Sequence, residues 1–332
     1  MSATIGDKAI TQTANENFIA VMPVVSVIIP AYNCADFIGE TIDSILAQEF
    51  KDYELIVIND GSPDTEKLEK VLTPYKEKLV YLKQENTGQG GARNRGIKNA
   101  RGEYIAFIDS DDLWMPNFLS EQIAYMKSNP NCDLVYADAF LFGDNSSSKK
   151  RFMECCPSEG EVNLESLLAM RCNVVMSSVV AKKQKLIDGG LFDEKHGVHS
   201  EDYEFWMRLA KFGARIEYQQ KPLMRYRYRE NSLSANTIKQ IAGALKSLAK
   251  IEALGELSER EIAALKQTRE RLLANKKLES GKQKLFNGDY KEAISDFHAA
   301  DNYASNWKLK VTLLGLRVMP NLTRKIYLKL RS

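Results

Sequence analysis

Tyr104-Ile105-Ala106-Phe107-Ile108-Asp109-Ser110-Asp111-Asp112 decides the fold: an apolar run that passes directly into a cluster of carboxylates. Gly102 bounds the run on one side and charge bounds it on the other. A continuous apolar run suits a central strand of a parallel sheet, buried on both faces. Open α/β sheets take their ligands outside the carboxyl ends of their strands. Three acids at such an end are placed to hold a divalent metal and a phosphate-bearing ligand.

Two upstream segments repeat the arrangement. Val24-Val25-Ser26-Val27-Ile28-Ile29 ends in Pro30-Ala31-Tyr32-Asn33, and Glu54-Leu55-Ile56-Val57-Ile58 ends in Asn59-Asp60-Gly61-Ser62. Between them Phe37, Ile38, Ile42, Ile45 and Leu46 recur at helical spacing, with Asn33 as the expected N-cap. Strand, helix, strand units of this length are parallel and right-handed, so Tyr32 and Asp60 should share an edge with Asp109. Beyond Asp60, the turn signal Gly61-Ser62-Pro63-Asp64 leads to a predicted helix from Thr65 to Tyr75 and a strand from Leu79 to Leu82.

At 332 residues the chain has room for one large domain with appendages or for two domains. Its 44% hydrophobic and 27% charged residues are ordinary for a soluble globular protein, and a net charge of +2 makes no global case for nucleic-acid binding. Five cysteines, an odd number with Cys155 and Cys156 adjacent, fit a reducing compartment. Three histidines without a Cys-x-x-Cys pair argue against structural zinc. The N-terminus lacks the pattern of a secretory signal, and no run approaches the roughly 18 apolar residues of a membrane span. Residues 1–22 read as a flexible leader.

Asn86-Thr87-Gly88-Gln89-Gly90-Gly91-Ala92-Arg93-Asn94-Arg95-Gly96 reads as a glycine-rich loop leading into a helix. Taken alone, it suits an anion site, through backbone amides and guanidinium groups, as well as it suits a flexible turn. It is no nicotinamide fingerprint, since the first strand-to-helix turn holds Pro30-Ala31-Tyr32-Asn33. A helix is expected from Met115 to Asn129 and a strand from Leu134 through Phe142, where the sheet should end. Gly143 to Lys150 reads as a surface loop. Farther on, Ser200 is the expected N-cap of a helix opening with Glu201, Asp202 and Glu204. These acids either stabilise the positive helix end or form a second acidic site. Arg225-Tyr226-Arg227-Tyr228-Arg229 would line one strand face with arginine. That suits contact with an anionic diphosphate, and no RNA-binding signature accompanies it.

With these residues assembled, the chain resembles the family-two glycosyltransferases of the GT-A fold, a mixed α/β nucleotide-binding sheet flanked by helices. The resemblance runs in order through Val25–Asn33, Asn59–Ser62, Gly88–Gly96, Asp109–Asp112, Glu201-Asp202 and Tyr226-Arg227, over about two thirds of the chain. It implies an inverting transfer of a sugar from a nucleotide diphosphate donor, commonly UDP-linked, to an acceptor hydroxyl. Pro30, Ala31, Tyr32 and Asp60 look like nucleotide-binding positions, with Asp60 near the base and Tyr32 lining its pocket, and Arg93 looks like the pocket arginine. Asp109, Ser110 and Asp111 match the acidic motif. There Asp111 is the direct ligand of Mn²⁺ or Mg²⁺, Asp109 the partner of ribose or metal, and Ser110 part of the nucleotide site. Asp202 matches the general base. Glu201 would orient acceptor or donor, and Trp206 either stacks on an acceptor sugar or belongs to the core. Arg227 and Arg229 fall near the segment that closes over the diphosphate, with Arg229 standing where many relatives carry a histidine. The chemistry asks for the same residue types: cationic groups stabilise the departing diphosphate, and a carboxylate accepts the acceptor's proton.

Beyond Thr237 the pattern is helical, and Leu285 to Phe297 resembles the turn and second helix of a tetratricopeptide unit. A solenoid needs about three repeats, so we expect one hairpin packed on the catalytic domain. From Lys308 onward there are no acids, while seven basic residues alternate with apolar ones. Such an end suits an anionic membrane surface or a solvated helix face. The expected organisation is a leader over 1–22 and a catalytic domain over 23–235, followed by a helical extension over 236–332. Within the domain, 23–142 would be the nucleotide-binding half and 143–235 the acceptor half. The expected acceptor is a glycan or lipid-linked molecule, and the expected location is cytoplasmic, peripheral on the inner membrane face. A non-catalytic scaffold that keeps the nucleotide fold is the alternative. A sugar-phosphate nucleotidyltransferase would need a glycine-rich N-terminal loop that is missing here.

Overall fold

A computed structural model describes residues 22–144, 150–197, 199–229, 236–303 and 307–331. The expected leader, save Met22, lies outside them, as do residues 145–149 of the expected loop and 230–235 after the arginine stretch. Strands β1 (Val25–Ala31), β2 (Tyr53–Asp60), β3 (Val80–Gln84) and β4 (Tyr104–Phe107) pair in parallel in the order β3-β2-β1-β4. Every residue of β1 is buried, because the sheet is covered on both faces. Val27 and Ile29 enter one apolar layer and Ile28 the other, the alternation that a period of two demands.

Crossover helices fill those layers: α1 (Ile38–Leu46), α2 (Thr65–Leu72) and α3 (Gly88–Asn99). The α1 face of Ile38, Ile42 and Ile45 is buried as its spacing predicts. Asn33, however, is not its N-cap, a position taken by Phe37. Asn33 adopts φ 50, a left-handed conformation that Asn tolerates, and donates its N–H to Ser62 Oγ at 2.7 Å. The glycine-rich segment is also corrected: from Gly88 onward it is the helix α3 itself. Glycine is needed there for packing. A Cβ on Gly96 would meet Ile28 Cγ2 at 2.6 Å, so its absence lets α3 lie directly on β1.

The sheet continues past Phe142, contrary to the sequence expectation. Next in chain order come β5 (Leu113–Trp114), α4 (Phe118–Ser128), β6 (Leu134–Gly143), α5 (Phe152–Cys155), α6 (Leu164–Leu168), β7 (Val180–Lys182), α7 (Lys183–Asp188), α8 (Glu201–Lys211) and β8 (Ile216–Tyr228). These strands extend the same sheet as β4-β7-β6-β8-β5, antiparallel except for β6 beside β8. The expected nucleotide and acceptor halves therefore share one sheet.

Five helices follow: α9 (Thr237–Ala253), α10 (Glu259–Asn287), α11 (Tyr290–Asp301), α12 (Trp307–Val318) and α13 (Pro320–Arg331). Ile241, Leu248 and Ile251 of α9, with Leu265 and Leu272 of α10, join the layer that holds Phe205 and Trp206. The first part of the expected extension is thus built into the catalytic core. A separate core, of Leu285, Ala293, Phe297, Ala300, Leu309, Leu313 and Leu316, holds the rest. The expected hairpin exists as α10 and α11, turning at Gly288 with φ 92. It packs with α12 and α13 in that second core instead of lying alone on the sheet domain.

Candidate active site

The exits of β1, β2 and β4 meet the start of α8 around a cavity of about 830 Å³. Pro30, Ala31, Tyr32, Asp60, Arg93, Asp109, Ser110, Asp111, Glu201, Asp202, Trp206, Arg227 and Arg229 all line it. Residues separated by as much as 199 positions therefore reach one space of the size that small-molecule sites occupy.

Asp60 ends β2 with its side chain buried. Its Oδ1 accepts from Gln84 Nε2 at 2.7 Å and from the Thr87 backbone N–H at 2.9 Å, which fixes the carboxylate against the start of α3. Tyr32 is half exposed at the cavity rim.

Arg93 is buried and bridges two elements. It donates from Nη2 to Asp109 Oδ1 at 2.8 Å and from Nη1 to Glu201 Oε1 at 3.0 Å. Burial works against its charge, but Asp109 and Glu201 outweigh burial and raise its pKa. The Glu201 carboxylate, expected to orient a ligand, here holds this guanidinium. Arg93 in turn ties the exit of β4 to the start of α8.

The acidic cluster divides into two roles. Asp112 is buried, with Oδ1 accepting from the Arg227 N–H at 2.8 Å and Oδ2 left without a partner among the described residues. Burial, then Asp111 and Asp109, push its carboxyl well above the usual range. Asp112 also borders the cavity, but its burial and its bond to the Arg227 N–H give it a structural role, so two of the three expected carboxylates remain for a cation. Asp109 and Asp111 both face the cavity. Burial and then repulsion from Asp109 raise Asp111, while Arg229 Nη2 pairs with its Oδ2 at 2.6 Å and opposes the rise. A repelling carboxylate pair is what a divalent cation relieves, and hard oxygen donors suit Mg²⁺ or Mn²⁺. Among the described residues no third His, Cys, Asp or Glu completes a metal cluster. The remaining ligands would come from phosphate and water, as is usual for Mg²⁺ beside a nucleotide.

Arg227 and Arg229 lie over the Phe37 ring, at 5.1 and 4.5 Å from its centroid. Arg227 also donates from Nε to the Asp111 carbonyl at 2.7 Å and from Nη2 to Glu40 at 2.7 Å. These contacts anchor the end of β8 across the acidic turn.

Asp202 stands in the first turn of α8, accepting the Tyr203 N–H at 2.8 Å. Burial and the Glu201 carboxylate push its acid up to about 6, against the pull of Arg93. Ser200 occupies the N-cap position, but its side chain makes no cap bond. Instead His199 and Ser200 both hold positive φ, 83° and 63°, a strained pair directly before the acids. Helix α9 clamps this turn. Ser247 Oγ donates to the Ser200 carbonyl at 2.9 Å, and a Cβ on Gly243 would sit 2.4 Å from the His199 carbonyl oxygen.

Trp206 is buried against Phe192 and Phe205, a core position that also borders the cavity, and its Nε1, itself buried, has no partner among the described residues. Sequence reasoning missed several wall residues, including Met170, Asn173, Gln240, Ile241 and Leu272. It also missed Ser177, whose Oγ accepts the Asp109 N–H at 3.0 Å. These carry no local motif; only the packing of α9 and α10 onto α6 and α8 brings most of them to the site.

A parallel nucleotide-type half sheet, an antiparallel continuation and an acidic turn at their junction define the GT-A class of fold. The model of the family "Glycosyl transferase family 2" matches residues 26–170. An uncharacterised glycosyltransferase of Rickettsia typhi is 32% identical over 246 residues, covering 70% of this chain and 74% of that protein. The Escherichia coli protein WfaP, a UDP-Glc:alpha-D-GlcNAc-diphosphoundecaprenol beta-1,3-glucosyltransferase, is 31% identical over 236 residues, covering 68% of this chain and 87% of that protein. The chain belongs to glycosyltransferase family 2. In fold it is similar to the mannosyltransferase PcManGT of Pyrobaculum calidifontis, solved with GDP-Man and Mn²⁺, at a TM-score of 0.61 and 17% identity over 92% of this chain and 84% of that one.

Proposed function

We propose that the protein is an inverting glycosyltransferase that moves a sugar from a UDP-sugar to a hydroxyl of a glycan or lipid-linked acceptor, in cell-surface polysaccharide or glycoconjugate synthesis. The observation that carries this reading is the convergence of Asp60, the Asp109–Asp111 pair and Asp202 on one cavity. The UDP-glucose and diphosphoundecaprenol named for the Escherichia coli relative supply the donor and acceptor classes to test first. Residues 23–235, completed by α9 and the start of α10, would form the catalytic unit. We place it in the cytoplasm, where nucleotide-sugars are available.

In this reading Asp60 and Tyr32 receive the base, the latter by stacking, while Pro30, Ala31 and Ser110 line the nucleotide path. Asp109 and Asp111 would hold Mn²⁺ or Mg²⁺, which when bound supplies positive charge beside the diphosphate. Arg227 and Arg229 are close enough to the acidic turn to neutralise the leaving phosphate. Arg93 acts as a positioning residue, holding Asp109 and Glu201 in register. Asp202 takes the proton of the acceptor hydroxyl as that oxygen bonds the anomeric carbon, opposite the departing nucleoside diphosphate.

A base must be ionised to work. Burial and the neighbouring Glu201 carboxylate, opposed by Arg93, raise the Asp202 acid to about 6. Activity is therefore expected to be level above that pH and to fall about tenfold per pH unit below it. A kcat/KM profile from pH 5 to 8 tests this; a rate that rises as pH falls would exclude Asp202 as base. The reaction class is tested by incubating the protein with UDP-glucose and a diphosphoprenyl-sugar acceptor and determining the anomeric configuration of the product by NMR. An α-donor should give a β-linked product, and a retained configuration would contradict the inverting mechanism.

A further inference from the structure

Helix α12 carries two apolar stripes where a helix packed on one side needs one. Leu309, Leu313 and Leu316 are 8%, 5% and 2% exposed and fill the C-terminal core. Trp307, Val311, Leu314 and Val318 recur at the same helical spacing and are 71%, 60%, 64% and 65% exposed. At about 100° per residue the centres of the two stripes lie roughly 160° apart, on opposite faces. Among the described residues the outer stripe belongs to none of the buried cores. It passes at the Val318–Met319 junction to α13, where Met319, Leu322 and Ile326 are again half exposed or more.

Charge decides what covers it. From Lys308 to Ser332 the sequence has seven basic residues and no acid, although the whole chain carries only +2. On the helical wheel Lys308 falls on one side of the outer stripe of α12, and Lys310 and Arg317 on the other. On α13, Lys325 and Lys329 fall on the side of Leu322 and Ile326. Exposed Lys308, Lys310, Arg317, Lys325 and Lys329 thus flank the apolar rows. A second copy of this chain would set these cations against one another. An anionic bilayer complements both features, taking the side chains into its interface and the cations among its headgroups. A tryptophan at one end of the stripe also suits the headgroup level. No described helix is long and apolar enough to cross the membrane, so contact would be along the surface.

We propose that α12 and α13 form a docking face for the surface of an anionic phospholipid bilayer. This inference does not depend on the reaction assigned above, because its test reads vesicles and not transfer. The full chain is incubated with phosphatidylcholine vesicles containing one quarter phosphatidylglycerol, and with pure phosphatidylcholine vesicles, then sedimented. The chain should co-sediment with the anionic vesicles and be released by added salt. Val311→Glu with Leu314→Glu should weaken partitioning by at least about tenfold. Lys310→Gln with Lys325→Gln should weaken it roughly thirtyfold. Both pairs are exposed, so circular dichroism and thermal midpoint should stay unchanged. Failure of the parent chain to bind anionic vesicles would overturn the proposal. So would undiminished binding by the Val311→Glu, Leu314→Glu variant. A parent dimer that this variant converts to monomer, without vesicle binding, would assign the face to self-association instead.

Discussion

Asp202→Asn is expected to lower kcat by about 10² to 10⁴ while leaving donor affinity within about twofold of the parent value. The substitution keeps the side-chain shape and the Oδ1 that accepts the Tyr203 N–H, so the start of α8 should hold its geometry. What is lost is the group that takes the acceptor's proton. The neighbouring Glu201 cannot substitute, because it is buried and paired with Arg93. Donor binding, on the other side of the reacting carbon, should report no change in isothermal titration with UDP. A variant retaining most of its turnover would remove Asp202 from the mechanism.

The second large effect concerns stability. Arg93→Ala should destabilise the fold by about 3–5 kcal/mol, because it strands the Glu201 carboxylate in the interior and takes from Asp109 the guanidinium it pairs with. Urea unfolding followed by circular dichroism measures the loss. Adding Glu201→Gln to Arg93→Ala should recover part of it, since the second change removes the stranded charge. The two changes share one contact and should therefore be non-additive. A loss below about 1 kcal/mol would mean that water reaches the pair and that Arg93 does not brace the β4 exit against α8.

Much of this was legible in the chain because the parallel half is built from local signals. Buried strands such as Val25–Ala31 must be apolar on both faces, and the polar residues that follow mark the ligand edge. Strand ends alone therefore place Asp60 and the Asp109–Asp112 cluster on the ligand edge, while the distinction of Asp109 and Asp111 within that cluster comes from the family resemblance. The antiparallel half was harder to read. Val180–Lys182 is a three-residue strand with no periodicity to detect, so local pattern marks no continuation of the sheet through it beyond Phe142. Asn33 misled because Asn suits both an N-cap and a left-handed turn. The glycine-rich segment misled because glycine propensity favours a loop, whereas packing of α3 against Ile28 overrides propensity. The clamp of Gly243 and Ser247 on the His199–Ser200 turn lies some 45 residues from the acids it holds and has no sequence signature.

The central claim is that the cavity receives a nucleotide-sugar through Asp109 and Asp111. Its most direct test is the thermal midpoint of the full chain with a panel of UDP- and GDP-sugars, in Mn²⁺ and in chelator, for the parent and for Asp111→Ala. Binding to the native state raises the midpoint by mass action. A rise with UDP-sugars in Mn²⁺ that disappears in chelator and in Asp111→Ala is the predicted result. An unchanged midpoint with every donor, or a rise that survives both chelator and Asp111→Ala, would contradict it.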